Sequence, residues 1–197
     1  MEFRQLLQQL SEADLEEGRR LIAERAAVLD NQAALGILLA GEALDQVFAN
    51  PATSLKLAEL LIFLGEHFQQ PSSQALGLKA KGDVLKTIGL HQAAMECLDA
   101  AGAEFLRLGD EGNWARSRIS WIISCAWLGE TERALQEAQR AREAFIRLGE
   151  PYWACVIAHN IAAIYDNMGR YEVSIKLYQD IIATYSTLTD QSDSDIK

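Results

Sequence analysis

Phe105-Leu106-Arg107-Leu108-Gly109-Asp110 returns forty residues later as Phe145-Ile146-Arg147-Leu148-Gly149-Glu150. A second glycine series, Gly89, Gly129 and Gly169, keeps the same step. Two interleaved glycine series at one period describe a repeat of two elements, and a period of roughly 20–50 residues marks a solenoid, propeller or array. The stretches between the glycines have helical spacing. Pro71–Ile88 reads as a helix stopped by Gly89, and His91–Leu108 as one stopped by Gly109. Glu111–Leu128, Thr131–Leu148 and Pro151–Met168 stop in the same way at Gly129, Gly149 and Gly169, and Tyr171–Leu188 closes the series. Glycine suits such stops because the residue after a helix often takes the left-handed conformation, which costs a residue with a Cβ about 1–2 kcal/mol.

Toward the N-terminus the same pattern loosens. Phe3, Leu6, Leu7 and Leu10 fall at i, i+3, i+4, i+7 and give one apolar helical face. Ser11, with Asp14 three residues on, reads as the cap of a second helix running through Leu15, Leu21, Ile22 and Val28 to about Leu29, with a break at Asp30-Asn31. A third helix spans Gln32–Phe48. Asn50-Pro51 then opens a fourth, which ends near Phe68. Extending the forty-residue register backwards aligns Leu15, Leu55, Met95, Leu135 and Ile175, and likewise Leu21, Leu61, Ala101, Ala141 and Ile181. A third column, Ser54, Ala94, Ala134 and Ser174, is always small and marks a close helix–helix approach. The expectation is about five helix pairs in one domain over 1–188, the first with a shortened leading helix, and a polar disordered tail over 189–197.

Composition sets the outer limits. Of 197 residues 49% are hydrophobic and 23% charged, a globular rather than a disordered composition. Three prolines leave room for long helices. A formal charge of −10 argues against a nucleic-acid partner, which needs a basic stripe. No apolar run reaches the ~18 residues that span a bilayer, and no secretory leader is legible, so no membrane partner and a cytoplasmic setting are expected. Cys97, Cys125 and Cys155 form no CxxC pair and read as reduced, buried thiols.

The unit Asn160-Ile161-Ala162-Ala163-Ile164-Tyr165-Asp166-Asn167-Met168-Gly169-Arg170-Tyr171, followed by Ser174 and Tyr178, resembles the tetratricopeptide repeat. Ile161 stands for the family's leucine, Ala162 for its glycine, Tyr165 for its tyrosine, Ser174 for its alanine and Tyr178 for its final aromatic residue. Earlier units are degenerate: Gly82 keeps the small slot, whereas Glu42 and Ile122 do not. The family's unit of ~34 residues is shorter than this one, which lengthens each helix by nearly a turn. Long units of this kind are similar to those of kinesin light chain, Pins-type scaffolds and the sensor arrays of bacterial multidomain regulators. In the last group, arrays precede a caspase-like CHAT protease, a cyclase or a helix-turn-helix region. The resemblance implies an all-α, right-handed superhelix whose concave wall binds a protein or peptide partner. The alternative it implies is an input domain sensing a signalling molecule for an attached output domain.

By the same resemblance, groove-facing positions are Lys79, Asp83, Lys86 and Thr87, then Arg116, Ser120, Ile123 and Trp127, then His159, Asn160, Ala163, Asp166 and Asn167. Lys79, Lys86 and Arg116 would give this wall a positive bias, or form an ordinary solvated face. Trp121 and Trp127 read first as packing residues. Cys155 and His159 lie at i, i+4, yet no oxyanion hole or third orienting group accompanies them, so no enzyme is expected. His67, His91 and His159 have no second ligand at metal spacing, and no metal or cofactor is expected. The last helix carries Ile175, Leu177, Tyr178, Ile181, Ile182 and Tyr185, more apolar residues than one packing face requires. A continuation of the chain, or a second copy forming a homo-oligomer through this helix, would cover the excess.

Overall fold

The computed structural model describes residues 2–26 and 31–194, with the side chains of 4–26 and 31–187. These residues form α1 (Glu2–Glu12), α2 (Leu15–Arg25), α3 (Gln32–Gln46), α4 (Pro51–His67) and α5 (Pro71–Thr87). There follow α6 (His91–Arg107), α7 (Glu111–Trp127), α8 (Thr131–Arg147), α9 (Pro151–Asn167) and α10 (Tyr171–Ser194). No strand occurs among the described residues.

The repeated phrase is a helix stop with a defined hydrogen-bond pattern. Gly109 has φ +72° and Gly149 +68°. Gly109 N–H donates to the Leu106 carbonyl at 3.1 Å and Asp110 N–H to that of Phe105 at 2.8 Å; Gly149 and Glu150 repeat this with Ile146 and Phe145. This is the Schellman arrangement, which satisfies carbonyls that the helix itself leaves free. Phe105 and Phe145, the first residues of the two phrases, are fully buried. The phrase is therefore a structural junction.

The N-terminal reading needs one correction. Asp14, not Ser11, caps α2: its carboxylate accepts from Glu17 N–H, while Ser11 lies inside α1 and its hydroxyl donates back to the Leu7 carbonyl. An aspartate three residues before a free amide, with extended backbone, meets the geometric need that a serine already bonded within a helix cannot. Lys56 then closes the other side of this junction, its ammonium donating to the Ser11 and Ala13 carbonyls at 2.6 Å each. Burial pulls the Lys56 ammonium below its ordinary value, and Asp14 opposes that shift. Asn31 and Asn50 cap α3 and α4. Val28 and Leu29, assigned to the second helix from sequence, lie outside the described residues. At the other end α10 continues to Ser194, past the position at which the sequence suggested a helix end.

Contacts divide the chain into two compact units, residues 1–110 and 111–197, a boundary with no counterpart in composition. In the first, α3 pairs with α4 and α5 with α6, and the hairpins join through α4–α5, α3–α5 and α2–α4. Leu10, Ile22, Leu35, Leu39, Leu57 and Leu64 are fully buried in its core. Each such side chain contributes about 1.5–3 kcal/mol of transfer free energy. In the second unit α7 pairs with α8 and α9 with α10, joined through α8–α9 and α7–α9. The small column is buried throughout: Ser54, Ala94, Ala134 and Ser174 all lie in the helix interfaces, and Ser54 Oγ donates to the Ala43 carbonyl at 2.5 Å.

Candidate functional site

Within the second unit the leading helices α7 and α9 lie side by side and leave an open cavity of about 420 Å³. Ile123, Ala126 and Trp127 line it from α7; Asn160, Ala163 and Asn167 line it from α9. The spacings explain the convergence: i, i+3, i+4 on one helix and i, i+3, i+7 on the other each place the three residues on one face. Trp127 is 74% exposed, which overturns its reading as a packing residue, whereas Trp121 is buried as expected. Trp127 follows the last buried turn of α7 and stands just before the Gly129 stop, beyond the reach of the α7–α8 core. Asn160 is buried, and its side-chain amide donates to the Ile119 carbonyl at 3.4 Å, linking α9 to α7. That bond uses one of four hydrogen-bonding sites on the amide. The cavity thus has an aromatic wall, an aliphatic floor and two side-chain amides at its edge.

The other anticipated residues are placed differently. Arg116 donates to Glu150 at 2.6 Å and lies over the Trp153 ring at 5.3 Å, so it braces α7 against the start of α9. Ser120 is buried beneath the cavity. His159 packs edge-on against the Tyr178 ring, centroids 5.5 Å apart, which turns it toward α10. Asp166 is exposed in the last turn of α9. In the first unit Lys79, Asp83, Lys86 and Thr87 share one face of α5. Lys79 pairs with Asp83 at 2.8 Å, Thr87 donates to the Asp83 carbonyl, and Lys86 lies 5.7 Å from the Phe48 ring. Two of the three cations expected to bias the wall positively, Lys79 and Arg116, are thus held by carboxylates of their own unit.

The structure also exposes an apolar stripe that sequence reasoning passed over. Ile37 is 65% exposed, Leu44 58% and Phe48 77%, with the open Gly41 between them. These positions follow i, i+4, i+7, i+11, a spacing legible in the sequence. The pair at i, i+4 on α9 is split between two environments. Cys155 is buried with Ala158 and Ile181, while His159 is exposed on the Tyr178 side. All three cysteines are free thiols. Among the described residues no three His, Cys, Asp or Glu side chains converge as a metal site would require, and no helix is long and apolar enough to cross a membrane.

No protein-family model matches the chain, and no curated protein does. Solved structures do. A candidate kinesin light chain from Podosopora anserina, described as having nearly identical TPR-like repeats, superposes as a point variant with TM-score 0.63 and 15% identity, over 95% of this chain and 93% of its own. A second structure of that protein gives 0.60 and 15%, over 94% and 92%. At this identity the likeness concerns the fold, and the fold is all-α, a TPR-like array of helix hairpins.

Proposed function

We propose that this chain is a protein-interaction module that takes an extended or helical peptide segment of a partner protein into the α7–α9 cavity. The observation that carries the reading is Trp127, an indole 74% exposed at the mouth of a cavity otherwise walled by Ile123, Ala163 and two asparagine amides. A large exposed aromatic beside fixed amides is what peptide recognition uses: the ring supplies contact area, and the amides engage backbone N–H and C=O groups. With Arg116 tied to Glu150, the cavity itself is close to uncharged, and an apolar side chain flanked by free backbone fits it better than a carboxylate terminus.

The test is selection of peptides from a displayed library on the intact protein, followed by titration against variants. Trp127→Ala should weaken selected peptides about 30-fold, the equivalent of ~2 kcal/mol for a hot-spot aromatic. Asn167→Ala should weaken them less, and neither should move the thermal midpoint, because both residues lie at the surface. Peptides that bind both variants as tightly as the wild type would place the interaction elsewhere.

A further inference from the structure

Within each unit one leading helix packs a rear face on the trailing helix before it, α5 on α4 and α9 on α8. In α5 that face carries Gly77 and the buried Val84; a Cβ on Gly77 would lie 2.7 Å from both the backbone nitrogen and Cγ1 of Ile62 in α4. In α9 the same two positions are Ile157 and Ile164, both buried. In α3 they are Ile37 and Leu44, and there both are exposed. The trailing helices α4 and α8 likewise each have a front face for the leading helix that follows. Ile62 belongs to that face in α4, and Phe145 does so in α8, where Trp153 of α9 stacks on it with centroids 6.2 Å apart. The equivalents in α10 are Ile182, 65% exposed, and Tyr185, which is half-buried against Tyr152 and Cys155 of α9; Ile175, from the Leu55 and Leu135 column, is 56% exposed.

Among the described residues α3 thus has an uncovered rear face and α10 an uncovered front face. The two residues at the positions that meet in the α4–α5 contact are Ile37 and Ile182. We propose that α10 of one copy packs on α3 of a second copy, head to tail, repeating between molecules the contact that α4 and α5 make within one. Isoleucine at the Gly77 position is accommodated at the α8–α9 junction, where Ile157 is fully buried. The contact is heterologous, so each addition leaves a free α3 at one end and a free α10 at the other.

Sedimentation velocity from micromolar to millimolar protein tests this, with Leu44→Asp and Ile182→Asp as exposed-site variants whose helicity should match the wild type. The wild type should grow past dimer with concentration, and each variant alone should stay monomeric. An equimolar mixture of the two variants should form a dimer and nothing larger, since one supplies an intact α10 and the other an intact α3. A wild type that stays monomeric would overturn the proposal. So would a Leu44→Asp variant that still self-associates, which would assign the contact to α10 against α10, or a mixture that remains monomeric.

Discussion

At Gln69 the backbone φ is +54°, the left-handed region that every other described helix stop in the series fills with glycine. Its hydrogen bonds are those of the repeated phrase: Gln69 N–H donates to the Glu66 carbonyl and Gln70 N–H to that of Gly65. Gln69 is also forty residues before Gly109, so it is the same junction occupied by a residue with a Cβ. The left-handed conformation costs such a residue about 1–2 kcal/mol, and glycine returns part of that gain through its freer unfolded chain. Gln69→Gly should therefore stabilise the fold by about 0.5–1 kcal/mol net, raising the thermal midpoint by roughly 1–4 °C in a chain of this size. A midpoint that falls would mean that the Gln69 side chain makes a contact worth more than the backbone strain. The junction was readable wherever glycine marked it. At Gln69 only the forty-residue register marks it, because the left-handed turn is imposed there by the hairpin on a residue that merely tolerates it.

At the scale of the helix, α7 departs most from its neighbours, burying Ser117, Arg118, Ser120 and Ser124 where α9 buries Ile157, Ala158, Asn160 and Ile164. Arg118 holds the interior together by several contacts. Its Nη1 lies 3.8 Å from Glu137 Oε1, its Nε donates to Ser117 Oγ at 3.2 Å, and its guanidinium sits 5.4 Å from the Trp121 ring. Glu137 is shared, accepting from Arg140 at 2.7 Å. Removing one member of a buried pair strands the other, whereas replacing both with apolar residues is often nearly neutral. Glu137→Ala should thus cost about 3 kcal/mol, and the double variant Arg118→Met, Glu137→Leu much less, read as midpoints in urea. Equal losses in both would mean that the pair contributes nothing beyond packing. The sequence pattern marked α7 as the poorest match to the repeat but could not say why. Arginine is ordinarily exposed, and tertiary contacts such as Glu137 on α8 make its burial tolerable. The α3 stripe was hidden for a different reason. Ile37 and Leu44 sit at positions that are buried in later repeats, so periodicity assigns them to the core, and only the packing of α3 shows them uncovered.

For the whole molecule, the net charge of −10 sets the conditions under which copies can meet. The residues proposed to touch, Ile175 and Ile182 on α10 and Ile37 and Leu44 on α3, carry no charge, so what opposes association is repulsion between the acidic bodies behind them. That repulsion is long-ranged at low salt and confined to about 10 Å at 0.1 M, whereas the apolar contact does not depend on screening. Self-association should accordingly strengthen several-fold between about 0.02 M and 0.5 M sodium chloride. A contact built on ion pairs would weaken over the same range. Peptide binding in the α7–α9 cavity, where the lining is aromatic, aliphatic and amide, should change little for an uncharged peptide. Measuring both responses on one sample separates the two surfaces. If growth of the chain and peptide affinity rise or fall together with salt, they share a surface, and the assignment of assembly to α10 and α3 fails. If only assembly strengthens, the molecule can bind a partner through α7 and α9 while its two ends remain free to extend the array.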